Sequence, residues 1–241
     1  MKKGLRNLFS NADFLNLVTA LSGILACLIV GEGARISAAA SYSGDYSIVN
    51  HFISELGRSN ATSKAYVFNH SLMVSGFLLL IFISGMGNFM YYSRLARMAR
   101  IFGIIAVFCF SAIGYFTAET WTPHIIVASL FFACAMVSIL LFSLSIIREK
   151  QRRFTRAIAL NGFVIVAWYF VALLWPKASL LQSVYNPTHF VRPAVWMLTV
   201  LEWGYGFLIG SWVIMSSANL MYMVNFSFYR KRAYQWMGWD E

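Results

Sequence analysis

Charged residues are scarce in this sequence. Only 12% of its 241 residues are Asp, Glu, Lys or Arg, whereas soluble domains carry about 25%. In their place, 59% of the residues are hydrophobic and the mean hydropathy is +0.65. Apolar runs of about 20 residues are long enough to cross a bilayer as helices. The composition therefore excludes an ordinary soluble domain and predicts an integral membrane protein.

Cysteine and the common catalytic motifs are also sparse or missing. Cys27, Cys109 and Cys134 each lie inside an apolar run without CxxC spacing, which argues against a disulfide framework. The sequence has no HExxH, GxSxG or Walker motif, so no spacing is diagnostic of an enzyme class. Aromatic and basic residues are not interleaved as in a nucleic-acid groove. We therefore expect no nucleic-acid partner, although the net charge is +10.

The apolar residues form six runs that are long enough to span a membrane. We predict an all-α polytopic protein with a single membrane domain. Its six spans fall at about residues 14–38, 65–92, 100–118, 123–147, 157–175 and 193–224. The last run is longer than a bilayer requires, so its end should tilt or project.

Basic residues cluster at every second end of these runs. The clusters are Lys2, Lys3 and Arg6; Arg94, Arg97 and Arg100; Arg148, Lys150, Arg152, Arg153 and Arg156; and Arg230, Lys231 and Arg232. With six spans, all four clusters lie on one side, which the positive-inside rule makes cytoplasmic. We therefore predict a multi-pass protein of the cell membrane with both termini in the cytoplasm.

The histidines and several acidic residues fall on the opposite, outer side. They are His51, His70, His124 and His189, with Glu32, Asp45, Glu55, Glu119 and Glu202. The densest polar stretch is 48–70, which also holds Ser54, Arg58, Asn60 and Asn69. We expect this stretch to supply the centre of any functional site.

Part of this stretch predicts a short helix at the membrane surface. In GDYSIVNHFISELG, Asp45 is a candidate N-cap and Gly57 a candidate helix stop. His51 and Glu55 would share a face because they are four residues apart. Two interpretations stay open: a polar face over an outer-leaflet pocket, or an interfacial helix whose charges meet water.

Polar residues at the outer ends of other spans extend the candidate set. Asn69 and His70 lie inside the second span, where they either belong to a functional site or form hydrogen bonds between helices. Glu119 ends the third span, where its carboxylate opposes the helix dipole. It should therefore have a cationic partner, either Arg58 or His124.

Glu202 lies inside the sixth span. It shares a helical face with Gly206 and Gly210, a spacing that permits close contact between helices. Because a carboxylate facing lipid is costly, Glu202 should face inward and either pair with a base or be protonated. The candidate bases are His70, Arg35 and Arg192.

Two chemistries fit this set of residues. His51, His70 and His124 are candidate zinc ligands around an activated water. Without a metal, Glu55, His70 and His124 are candidates for general acid and base. Ser54, Arg58, Asn69, Glu119 and Glu202 would then be binding residues.

The sequence also resembles a known group of membrane proteins. The matching features are ISELG (53–57), Phe68-Asn69, Gly76, Gly114 and His124. They resemble the six-span DRAM/Frag/Sfk group, above all its bacterial branch of unknown function, over about residues 14–147. The resemblance implies that Glu55, Asn69 and His124 are recurrent polar positions, and we expect them to approach one another. Eukaryotic relatives are associated with lipid remodelling and lipid asymmetry, which implies lipid contact.

These observations lead to three functional hypotheses. The first is a lipid-interacting or accessory protein with an outer-leaflet polar pocket, whose partners are lipids or other membrane subunits. The second is a membrane-embedded lipid hydrolase or transferase that uses His and Glu, with or without zinc. The third is a small transporter, although no span shows a clear midplane break.

Reporter fusions test the predicted topology. Fusions at Arg97, at Arg152 and in the C-terminal tail should all report the cytoplasm, because each site lies in a segment that carries a basic cluster. A periplasmic signal from any one of these fusions would contradict the six-span arrangement.

Overall fold

The computed structural model describes residues 12–42, 44, 46–89, 93–149, 153–186 and 188–236, without the side chains of 12, 88–89 and 225–236. The helices are α1 (Ala12–Ala39), α2 (Ala65–Phe89), α3 (Arg94–Tyr115), α4 (Trp121–Arg148), α5 (Arg156–Leu174), α6 (Ala178–Tyr185) and α7 (Met197–Trp236). A 3₁₀ helix, Ile53–Gly57, lies between α1 and α2. Within this described part, no strand forms, and Ser41 and Thr62 make an isolated bridge.

Six of these helices are long and apolar enough to cross a membrane, namely α1 to α5 and α7. The predicted fold class is therefore confirmed, although the starts of two spans move. Span three begins at Arg94 rather than near residue 100, because the Ser93 side chain caps the helix by accepting from the Ala96 N–H. Span six begins at Met197 rather than near residue 193. The Trp196 N–H just before it donates to Val49 O in the first loop.

The helix predicted in the first loop is present, but it is shorter and of the 3₁₀ type. It ends at Gly57 as expected and begins only at Ile53, so His51 does not share a helical face with Glu55. The carbonyl of His51 accepts from the Trp203 indole, and that of Phe52 accepts from the Tyr46 hydroxyl. The His51 carbonyl is therefore bound by a side chain, whereas the Phe52 carbonyl also accepts from the Glu55 N–H of the 3₁₀ helix. Asp45, the candidate N-cap, lies outside the described residues.

The six spans form a closed ring. Each packs on the next along the chain, and α7 packs on both α5 and α1. At one end, Glu119 in the α3–α4 turn binds Ser59 in the first loop, and Arg192 in the second loop binds Glu55. We name this the loop end, and we name first-loop residues 46–62 the roof.

The opposite end carries Arg94, Arg97, Arg100, Arg148, Arg153 and Arg156. There, Asn219 of α7 binds both Arg153 O and the Thr155 N–H, and Ser145 of α4 binds Ser93. We name this the basic end. The clusters at Lys2–Arg6 and Lys150–Arg152, and the side chains of Arg230, Lys231 and Arg232, lie outside the described residues. Which compartment the basic end faces stays a prediction.

Two apolar clusters fill the interior of the ring. The larger one reaches toward the basic end and centres on Trp212, whose ring lies 6.2 Å from that of Phe82 and 5.8 Å from that of Phe142. The smaller one lies at the loop end and contains Ala34, Leu56, Phe68, Leu72 and Trp203. Leu56 belongs to the 3₁₀ helix, so the roof contributes directly to the core.

Small residues let neighbouring spans approach closely. In four places, a glycine of one helix faces a serine or threonine of a neighbouring helix. The pairs are Gly85 and Thr19, Gly33 and Ser71, Gly76 and Ser111, and Gly162 and Ser143. A Cβ at any of these glycines would lie within 2.5 Å of the facing side chain. The ring is therefore tightly packed along these contacts.

Gly114 provides a test of this packing. A Cβ there would lie 2.5 Å from the backbone oxygen of Asn69, so α2 and α3 would have to move apart. Although alanine favours helix, we expect Gly114→Ala to lower the free energy of unfolding by about 1–3 kcal/mol, as overpacking does.

Gly31→Ala is the matched control, because a Cβ at Gly31 has no atom within 4 Å. Unfolding of both variants in one detergent provides the measurement. Equal stability of the two variants would contradict the close contact at Gly114.

Candidate functional site

The roof is fastened to α1 and α2 by buried hydrogen bonds. The Ser37 hydroxyl donates to Leu56 O at 2.7 Å, and the Thr62 hydroxyl donates to Ser37 O at 2.7 Å. The Asn69 amide donates to Gly57 O at 3.0 Å. Asn69, predicted to be a binding residue, thus holds the end of the 3₁₀ helix in place.

Glu55 forms an ion pair with Arg192 of the second loop. Both nitrogen–oxygen distances are 3.0 Å, so the pair is bidentate. The same guanidinium donates to Asn50 O at 2.7 Å and lies over the Trp196 ring. The predicted catalytic Glu55 therefore joins the roof to the second loop.

Glu202 of α7 holds the other end of the 3₁₀ helix. Its Oε2 accepts from the Ile53 N–H at 3.0 Å, and the Ser54 side chain lies near the carboxyl group. Glu202 faces inward as expected, since it lines the internal cavity described below.

The predicted ion pair of Glu202 is wrong, because none of the three candidate bases pairs with it. Arg35 pairs with Glu32, Arg192 pairs with Glu55, and His70 is exposed with its Nδ1 on Tyr66 O. The roof supplies the Ile53 N–H instead, which needs an acceptor because it begins the 3₁₀ helix.

A cavity of about 460 Å³ lies beneath the roof. Its wall is mainly aliphatic and aromatic and comes from the 3₁₀ helix and from α1, α2, α3, α4 and α7; examples are Val30, Phe68, Leu72, Ile113, Phe131 and Phe207. Ser54, His124 and Glu202 also line it. These three polar residues lie on the roof or near the loop ends of α4 and α7. The cavity thus has a polar end near the roof and an apolar body.

Glycines of the last span open this space. The spacing of Gly206 and Gly210 permits a close helix contact, but none forms there. A Cβ at either position would have no atom within 4 Å, and both glycines line the cavity. The close approach of α7 occurs at Gly204, where a Cβ would lie 2.4 Å from the Trp168 ring. Missing side chains at Gly206 and Gly210 therefore leave room inside the ring.

His124 lies on the cavity wall with only 6% of its surface exposed. Its Nδ1 lies 2.8 Å from Phe116 O. Because a carbonyl can only accept, Nδ1 carries the hydrogen, and Nε2 is the acceptor of the neutral ring. His124 therefore brings a second acceptor to the cavity wall that Glu202 also lines.

Glu119 does not have the cationic partner that its position predicts. Its Oε1 accepts from the Ser59 N–H at 2.5 Å and from the Ser59 hydroxyl at 2.7 Å, and neither Arg58 nor His124 forms an ion pair with it. The two hydrogen bonds from Ser59 lower the pKa of Glu119, with a smaller contribution from Arg58, so it is ionised at neutral pH. Glu119 thus ties the α3–α4 turn to the roof.

The histidines considered as zinc ligands lie in separate surroundings. His51 contacts Asn50 at the roof, and burial, followed by the charge of Arg192, lowers its pKa. His70 is exposed, whereas His124 is buried on the cavity wall. Over the described ranges, no group of three His, Cys, Asp or Glu side chains lies close enough to hold a metal ion.

The structure also shows where Glu55, Asn69 and His124 lie, the three residues that we expect from the resemblance to approach one another. Glu55 and Asn69 act on the same 3₁₀ helix, and His124 lies on the cavity wall. In the part of the chain that the structure describes, no hydrogen bond joins these three residues. Sequence reasoning missed Trp203 and Ser37, which hold roof carbonyls, because neither carries a motif.

The fold and site together define a six-span membrane protein with a roofed internal cavity. The chain belongs to the family described as protein of unknown function (DUF998), whose family model matches residues 23–219. This match covers the roof and every residue that lines the cavity. No curated protein and no solved structure matches the chain.

The ion pair between Glu55 and Arg192 can be measured with a double-mutant cycle. We expect a coupling free energy of about 1 kcal/mol from Glu55→Gln and Arg192→Gln, because the pair is bidentate and Glu55 is largely buried.

The exposed pair Glu32 and Arg35 is the matched control for this cycle. Its side chains are 55% and 69% exposed, so solvent should screen its coupling to well below that of Glu55 and Arg192. Both cycles are measured by unfolding in sodium dodecyl sulfate. Equal coupling in the two pairs would show that Arg192 does not hold the roof.

Proposed function

We propose that this protein binds the apolar chain of a membrane lipid or a related amphiphile in the cavity beneath the roof. The observation that carries the proposal is the composition of the cavity wall, which is apolar except near the roof and at Ser211, whose hydroxyl donates to Leu208 O. The volume of about 460 Å³ lies within the range of roughly 300–1,000 Å³ that is usual for ligand sites. An amphiphile matches such a wall, with its chain in the body and its head at the polar end.

The exposed part of the wall supports entry from the bilayer. Gly31, Gly206, Phe207 and Ile214 line the cavity and are exposed, and all four belong to α1 or α7. The cavity is therefore open along these two spans. In a membrane this surface contacts acyl chains, so a lipid chain could enter without crossing water.

The predicted topology places the cavity in the outer leaflet. The cavity lies toward the loop end, and the basic clusters that the positive-inside rule assigns to the cytoplasm belong to the other end. As part of this proposal, we infer that the chain is related to the DRAM/Frag/Sfk group, whose eukaryotic members are associated with lipids. Binding to other membrane subunits stays a prediction.

The geometry favours binding over the two alternatives. Ser54, His124 and Glu202 share one cavity, but His124 Nδ1 donates to a backbone carbonyl instead of a carboxylate. The other candidate acid and base are occupied elsewhere, because Glu55 pairs with Arg192 and the exposed His70 has its Nδ1 on Tyr66 O. Transport is disfavoured because the cluster around Trp212 fills the ring below the cavity.

Filling the cavity tests the proposal. Gly210→Phe should keep the fold, because its added side chain enters open space. It should reduce the lipid retained by the purified protein about tenfold, which corresponds to about 1.4 kcal/mol. Native mass spectrometry of the detergent-purified protein measures the retained lipid.

Val164→Phe is the matched control, because Val164 is 52% exposed on α5, a span that contributes nothing to the cavity wall. Retained lipid should be unchanged in this variant. If Gly210→Phe is folded and retains as much lipid as wild type, the cavity is not the binding site.

A further inference from the structure

We infer that the cavity selects amphiphiles whose head donates hydrogen bonds and carries no negative charge, such as a long-chain alcohol or amine. This inference rests on the proposed function and adds the chemical class of the ligand. It follows from the donors and acceptors that the wall presents.

The first argument is the unused acceptor capacity of Glu202. A carboxyl group accepts hydrogen bonds at both oxygens, and an ammonium head beside Glu202 would favour its ionised form. The Ile53 N–H occupies one position on Oε2, and the Ser54 side chain lies near the carboxyl group. Among the described residues, no lysine, arginine or histidine forms an ion pair with Glu202. Glu202 therefore brings to the cavity an acceptor that a ligand could use.

His124 provides a second acceptor at the same cavity. Its Nδ1 is occupied as a donor to Phe116 O, so Nε2 of the neutral ring can only accept. No hydrogen bond to Nε2 occurs within the described ranges. A hydroxyl or an ammonium group on the ligand would supply the donor that Nε2 and Glu202 both lack.

The third argument is the absence of a cation from the wall. The described residues that line the cavity include no lysine and no arginine. Arg192, which lies at the same end, is occupied by Glu55 and by Asn50 O. A phosphate or carboxylate head in the cavity would be buried without a compensating cation, and an unpaired charge in an apolar site is costly.

Three probes with the same tail and different heads test this inference: dodecylamine, dodecanol and dodecanoate. Radiolabelled probes are bound to the full-length protein in nanodiscs, and binding to empty nanodiscs is subtracted to remove partition into lipid. At neutral pH, we expect the amine and the alcohol to bind wild type at least about tenfold more tightly than dodecanoate. This comparison needs no variant.

Glu202→Gln then separates the amine from the alcohol. The amide keeps the size of the side chain and an oxygen for the Ile53 N–H, so the roof should stay in place. We expect dodecylamine to lose about tenfold in affinity, because its ammonium loses an ionisable partner, and dodecanol and dodecanoate to change by less than about threefold. Glu32→Gln, a change of an exposed carboxylate outside the cavity wall, should alter none of the three affinities.

The outcomes separate this inference from the proposed function. Dodecanoate binding wild type as tightly as dodecylamine, or a folded Glu202→Gln with unchanged affinities, would overturn the inference and leave lipid binding intact. If no probe binds above empty nanodiscs and Gly210→Phe retains as much lipid as wild type, the proposed function fails as well.

Discussion

The hydrogen bond from the Ile53 N–H to the Glu202 carboxylate determines where the first loop lies. Each group would be costly to bury without the other, because one is an unpaired donor and the other an unpaired carboxylate. Together they hold the start of the 3₁₀ helix against α7, while Asn69 holds its end against α2. The first loop therefore closes the ring as a roof, and the space beneath it becomes a cavity.

The roof also joins parts of the chain that are distant in sequence. Trp203 binds His51 O, and Arg192 binds Glu55, so α7 and the second loop are fixed to residues more than 100 positions earlier. Such contacts close long loops, whose entropic cost grows only slowly with length. Each contact limits the positions that α7 can adopt against α1, the two spans that close the ring.

The spans could be predicted from sequence, whereas the contacts of the roof could not. Hydropathy and basic clusters are local signals, and they located all six helices. The inward orientation of Glu202 was also predictable, because lipid exposure of a carboxylate is costly. Its partner was not, since the Ile53 N–H is a backbone group 149 positions away. Gly206 and Gly210 were misread because the absence of a side chain permits either close packing or empty space.

The proposed ligand class follows from the arrangement of one helical face. Glu202, Gly206 and Gly210 are spaced four residues apart, so they lie along one side of α7. With a rise of 1.5 Å per residue, this stripe runs for about 12 Å from the roof toward the Trp212 cluster. A head bound at Glu202 would place its chain over the two glycines, where no side chain obstructs it. The same stripe would thus select the head by charge and leave room for the chain, which is why Glu202→Gln and Gly210→Phe should have different effects.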